Sequence, residues 1–239
     1  MSRRSRYRRP RHQLVHGLLE RLNADFLRQQ QCYFGGGTRI VLELGEYRES
    51  AGIDLLCSSR DGYRDLRSTV SPNSLGRIAA RPLRLAREIT ADLYGIRSYV
   101  EVGGEKLKFE IINEARIDLG GAPVPGIPLA CLDRPSCFAE KLLANCDRWA
   151  DRAVLSRDLV DLAFMIDAWG ERAARAGLEA ARRAYGQAIE RDLRRALEKL
   201  RLDKDYYRKC LTGLAITGAR RLGTGLRKLS SLVAASKPG

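Results

Sequence analysis

Residues 32–59 read CYFGGGTRIVLELGEYRESAGIDLLCSS, and the way this stretch is divided decides the fold. Cys32 to Phe34 reads as a short strand and Gly35 to Gly37 as a turn. Thr38 is placed to cap a helix running to about Leu44, where Ile40, Val41 and Leu44 share a face. A second strand is expected over Gly52 to Cys57. A strand, a bare glycine turn and a helix start together make a phosphate cradle, because glycines let the backbone approach closely and the first helical amides point at an anion. The spacing fits neither a Walker loop nor a dinucleotide fingerprint. Alternation along the second strand puts Ser50, Gly52 and Asp54 on one face, with Asp54 beside the cradle, where a hard carboxylate can hold a metal ion against bound phosphates. The alternative is a structural salt bridge, since an unpaired carboxylate between Ile53 and Leu55 is costly to bury.

The chain around this stretch has two characters. Residues 2–11 hold six arginines without apolar periodicity and read as a flexible basic arm, 1–11. Val15, Leu18, Leu19, Leu22 and Phe26 then predict one amphipathic helix from His12 to Gln31. Residues 60–75 read as a polar loop, and Leu75 to Ala91 as a helix broken at Pro82. Tyr99 to Val102 and Leu107 to Ile112 flank Gly103 and Gly104 as a hairpin, with a further extended segment near Ile117 to Leu119. Gly120 to Pro128, with three prolines and three glycines, separates this strand-bearing lobe, 12–128, from a helical lobe, 129–222. The helices expected there are Ser136 to Arg148, Ser156 to Trp169, Ala173 to about Arg201 and Tyr206 to about Arg220. Residues 223–239 read as a fraying basic tail.

Lys and Arg outnumber Asp and Glu by 43 to 29 in 239 residues, a formal charge of +14 that favours a polyanionic partner. Arg182, Arg183, Arg194, Arg195, Arg220 and Arg221 on the helical lobe would suit RNA gripped through its phosphates, or form ordinary solvated helix faces. No apolar run is long enough to span a membrane and no secretory core follows the arginines, so a soluble, cytoplasmic protein is expected. The six cysteines form no C-x-x-C pair and read as reduced, buried small hydrophobes. His12 and His16 stand four apart without a third ligand at matching spacing, a weak case for a metal.

The order "GGT", helix, "YRES", "GIDL", then "FAEKLLANCDRW" and "SRDLVDLAFM" resembles the nucleotidyltransferase fold, and in particular the AbiEii/AbiGii (MenT-like) group of toxin nucleotidyltransferases, over about Tyr33 to Met165. The resemblance implies an α+β protein: a nucleotidyltransferase lobe with a small mixed sheet and helices, followed by an all-helical C-terminal lobe. It implies nucleotide binding by Gly35, Gly36, Gly37, Thr38, Ser50, Lys141 and Arg157, catalytic roles for Asp54, Lys141 and Asp158, and a nucleoside triphosphate with Mg2+. It also implies an RNA acceptor, a tRNA 3′ end above all, and a cognate antitoxin. One departure stands out: the family's metal strand carries D-x-D, and Gly52 occupies the first position here. Glu110, on the strand "KLKFEII", is the natural further metal ligand with Asp54. Losing one acid opens the alternative of a catalytically impaired protein that binds nucleotide or RNA without turnover. Arg157 and Asp161, four apart, could instead pair with each other, and Lys141 could be an exposed helix lysine.

Overall fold

The computed structural model describes residues 6–235. Contacts divide the chain into two units, the first holding the residues up to Glu43 and Ser50–Asp133, the second Leu44–Glu49 and the residues from Arg134 onward.

The first unit is a seven-stranded mixed sheet with the order β3-β4-β5-β2-β1-β7-β6. Its centre is β1 (Cys32–Phe34), β2 (Ile53–Cys57) and β5 (Glu105–Asn113). Strand β2 runs antiparallel to β1, pairing Phe34 with Leu55, and parallel to β5, pairing Asp54 with Glu110. Helix α3 (Gly36–Glu43) follows β1 after Gly35 alone, so the expected order of strand, glycines and helix forms, but Gly36 and Gly37 belong to the helix and Thr38, expected as its cap, lies within its first turn. The hairpin also forms, joining β4 (Gly95–Val102) to β5 through Gly103 and Gly104, both at positive φ as a tight two-residue turn requires. The short β6 (Gly121–Ala122) and β7 (Cys131–Leu132) close the other edge.

Several expectations are corrected. The first predicted helix is two, α1 (Pro10–Leu19) and α2 (Ala24–Gln29), because the Asn23 side chain accepts a hydrogen bond from Phe26 N at 3.1 Å and starts a new helix. Helix α1 begins at Pro10, inside the expected arm, and Tyr7 is buried while Arg6, Arg8 and Arg11 stay exposed; residues 1–5 of the arm lie outside the described residues. The polar stretch after Ser59 is helix α4 (Arg60–Thr69), capped by the Ser59 hydroxyl and docked through Tyr63 and Leu66, three residues apart on one face. Leu75 to Ala91 holds a short 3-10 turn and then edge strand β3 (Leu85–Ala91), whose exposed Arg87 and Glu88 suit an unpaired edge. The segment at 117–119 is loop rather than strand.

The second unit is helical: α5 (Arg134–Arg148), α6 (Arg157–Trp169), α7 (Glu171–Tyr185), α8 (Ala188–Leu202), α9 (Lys204–Gly213) and α10 (Ala219–Ala234). The single helix expected over 173–201 breaks at Gly186, whose φ of +61° ends α7 in a conformation glycine tolerates. The expected tail is corrected most sharply, since α10 buries Leu222, Leu229, Leu232 and Val233. It lies so close to α6 that a Cβ on Gly225 would meet the Ala163 carbonyl oxygen at 1.9 Å. Among the described residues all six cysteines are free thiols, and burial pushes Cys57 up to about 11 and Cys131 up to about 12, which keeps them protonated and inert. No described helix is long and apolar enough to cross a membrane.

The α6–α10 contact gives a stability test. Gly225→Ala should destabilise the protein by about 1–3 kcal/mol, the usual cost of overpacking, whereas Gly52→Ala, whose Cβ would meet nothing within 4 Å, should leave the melting temperature nearly unchanged.

Candidate active site

In the first unit the glycine turn and Asp54 meet. Gly35 N donates to the Asp54 carbonyl at 2.8 Å, which fixes the turn on β2. Gly36 takes φ +65°, and a Cβ there would lie 2.2 Å from Asp54 Oδ2. On Gly35 it would strike the Leu56 and Leu132 side chains at 2.4 and 2.7 Å. Both positions therefore exclude any side chain, and the half-buried Asp54 carboxylate stands directly against the start of α3. Thr38, buried, shares a 2.8 Å hydrogen bond between its hydroxyl and that of Ser50. Ser50 N in turn donates to His12 Nε2 at 3.2 Å, a support with no signal in the sequence.

Gly52 and Ser50 precede β2, so strand alternation does not set their direction as expected, and the space beside Gly52 is open. Glu110 lies beside Asp54 in register, but it is engaged: Arg97 Nε donates to it at 2.8 Å and Lys108 Nζ at 2.5 Å. Among the described residues no group of three or more His, Cys, Asp or Glu side chains is arranged to hold a metal. His16 Nε2 faces the Gly126 carbonyl, at 3.2 Å, and not a shared site with His12.

In the second unit a buried chain of charges joins α5 and α6 to the segment Leu44–Glu49. Arg48 grips Asp161 with two parallel hydrogen bonds, Nε at 2.7 Å and Nη2 at 2.8 Å, and Tyr47 OH donates to the same carboxylate at 2.6 Å. Lys141 Nζ bridges Asp161 at 2.6 Å and Asp158 at 2.9 Å. Arg148 closes the chain on Asp158, with Nε at 2.6 Å and Nη2 at 2.9 Å. Three cations thus face two carboxylates. Helical spacing explains the convergence: Lys141 and Arg148 lie seven apart on α5, and Asp158 and Asp161 three apart on α6, each pair on one face.

Burial opposes every one of these charges, and the pairing outweighs it. Lys141 and Arg148 hold Asp158 well below the usual carboxylate range, and Arg48 and Lys141 do the same for Asp161. The carboxylates raise Lys141 and Arg48 above their ordinary values, while burial and Asp161 push the Tyr47 hydroxyl up. Lys141 is thus no exposed helix lysine, and Asp161 is held by Arg48, Tyr47 and Lys141, with Arg157 exposed. The motif YRES carries no legible partner for Tyr47 or Arg48 in sequence, since these lie more than a hundred residues from Asp161.

A mixed sheet with the glycine turn and acid on adjoining central strands, in a chain that continues into helices, is the nucleotidyltransferase fold. Two Helicobacter pylori structures share it, one described as that of a candidate nucleotidyltransferase, at TM-score 0.53 and 16% identity over 95% of this chain and 97% of the other. The second, JHP933, matches at TM-score 0.53 and 17% identity, over 93% and 91%. The family is narrower than the fold: the profile described as "Nucleotidyl transferase AbiEii toxin, Type IV TA system" matches residues 17–217, and the chain belongs to that family. None of the curated proteins matches the chain significantly.

The buried charges predict a pH dependence. A carboxyl depressed in the folded state contributes stability above its unfolded value, about 4, and loses it as pH falls toward the folded one. The wild-type melting temperature should therefore drop as pH falls below about 4, and Asp158→Asn should flatten that acid limb while lowering stability at neutral pH. Asp161→Ala, which strips Arg48 of its carboxylate, should cost about 3–5 kcal/mol in denaturant unfolding.

Proposed function

We propose that the protein transfers a nucleoside monophosphate from a nucleoside triphosphate to a hydroxyl of an RNA, a tRNA 3′ end above all, acting in the cytoplasm as the toxin of a toxin-antitoxin pair. The observation that carries the reading is the contact of Gly36 with Asp54, a backbone cleared of side chains where a carboxylate meets a helix start. Family membership supports the activity and the antitoxin; the excess of 43 basic over 29 acidic residues supports the polyanionic acceptor.

Gly36, Gly37 and Thr38 bind the triphosphate through backbone amides and one hydroxyl, which Ser50 orients, while Gly35, whose amide already donates to the Asp54 carbonyl, lets the backbone approach closely. The acceptor oxygen attacks the α-phosphorus, a new P–O bond forms, the bond to the bridging oxygen breaks, pyrophosphate leaves, and the hydroxyl proton passes to water. Magnesium suits this donor set, because it is commonly held by one or two carboxylates together with substrate phosphates. Asp54 would hold it, with Glu110 joining only on release from Lys108 and Arg97. The ion, when bound, supplies charge neutralisation on the phosphates. Lys141 and Asp158 act through the charge chain they belong to, as positioning groups, with Arg157 left to reach nucleotide from the surface.

Gly52 favours a second reading, a protein that binds nucleotide or RNA with impaired turnover. Incubating the protein with each labelled triphosphate, magnesium and total tRNA separates the two. Asp54→Ala should cut incorporation at least about a hundredfold, as loss of one electrostatic partner does. Gly52→Asp should raise it, because the site has room for a second acid. Wild-type incorporation untouched by Asp54→Ala defeats the transferase site; incorporation only in Gly52→Asp establishes the impaired protein.

A further inference from the structure

Helices α8 and α10, with the start of α9, enclose an open trough of about 690 Å³ in the second unit. Its lining combines buried or half-buried aliphatic residues, Leu197, Leu200, Leu226 and Val233, with four exposed cations, Arg194, Arg201, Lys204 and Arg227. Among the described residues none of these four cations forms an ion pair; Arg194 donates to the Val233 carbonyl and Arg227 to the Thr224 hydroxyl. Glu198 is the lone acid of the lining. Elsewhere in this unit Arg183 pairs with Glu179, Arg195 with Asp192 and Arg221 with Asp167, whereas Arg157, Arg172 and Arg220 form no ion pair among the described residues. What sets the trough apart is that four such cations line one largely aliphatic surface.

The trough's shape narrows its occupant. On α10 it extends from Gly223 to Ala234, eleven residue steps, which at about 1.5 Å of rise per residue is about 16 Å, or three helical turns. That is long for a compact metabolite and matches a short helix laid in a groove, with apolar anchors at three and four residue spacing. RNA fits less well: phosphate contacts need no aliphatic floor, and bases seek aromatic faces, of which the lining offers only Tyr207. Exposed cations select a partner of the opposite sign.

We infer that the α8–α10 trough is a docking site for an acidic amphipathic helix of a partner protein, its apolar stripe on Leu197, Leu200, Leu226 and Val233 and its carboxylates on Arg194, Arg201, Lys204 and Arg227. The site is independent of nucleotidyl transfer and stands whether or not the chain is an active transferase. The probe is a synthetic helical peptide with leucines at i, i+3, i+4 and i+7 and glutamates on both flanks, titrated into the full chain by fluorescence anisotropy. A twin peptide with lysines for the glutamates should bind at least about tenfold more weakly. Ser230→Trp, which fills the trough from an exposed position, should abolish binding, and the double variant Arg201→Glu, Arg227→Glu should weaken it by at least about tenfold. All variants are checked for unchanged melting. Equal affinity for the two peptides, or binding undiminished by Ser230→Trp, overturns the inference. So does a double variant that loses tRNA binding while keeping the peptide, which would assign the trough to nucleic acid.

Discussion

Asp54 can stand against the start of α3 only because Gly36 bears no side chain, and the first unit is arranged around that requirement. Gly36 is excluded from bearing a Cβ both by its positive φ and by Asp54 Oδ2. Gly35 is excluded by the packing of Leu56 and Leu132 beneath it. The Gly35 amide bonded to the Asp54 carbonyl locks β1 and β2 in the one register that brings acid and turn together. The order of the sheet follows, with β2 between β1 and β5, so that Asp54 faces the cradle on one side and pairs with Glu110 on the other.

The second unit depends on a different balance. Five charged side chains meet at α5, α6 and the segment Leu44–Glu49, and every carboxylate oxygen of Asp158 and Asp161 has at least one cationic partner. Such a cluster is expensive to desolvate and more expensive to break, so it fixes geometry more than it adds stability. Its effect is to secure Tyr47 and Arg48, on a segment that interrupts the first unit's chain, to helices far along the sequence. The stacking of Tyr47 on Phe164, ring centroids 3.8 Å apart, reinforces that attachment. Lys141 and Asp158 are consequently held by neighbours rather than exposed to solvent, and the positioning role proposed for them rests on that.

Legibility from sequence followed the range of the interactions. The glycine turn, α3, the hairpin through Gly103 and Gly104, and helices α5 and α6 were readable, because each rests on contacts within a few residues. Helix α4 was not, since only Tyr63 and Leu66 mark its buried face among polar neighbours. Strand β3 was missed because an edge strand needs little apolar alternation, and α10 because its apolar residues are spaced among glycines and serines that read as a loose tail.

By itself the sequence determined the strand–glycine–helix unit, the acid that follows it and the motif order that defines the family, since these are set by local backbone freedom and residue chemistry. Only the tertiary structure decided that Glu110 is already held by Arg97 and Lys108, and that Asp161 belongs to Tyr47, Arg48 and Lys141 rather than to Arg157. It also decided that four cations of the last helices line an apolar trough without an ion pair among the described residues. A charge shows its type in the sequence, but its partner is whichever opposite charge the fold brings within hydrogen-bonding distance, and that depends on packing between segments a hundred residues apart.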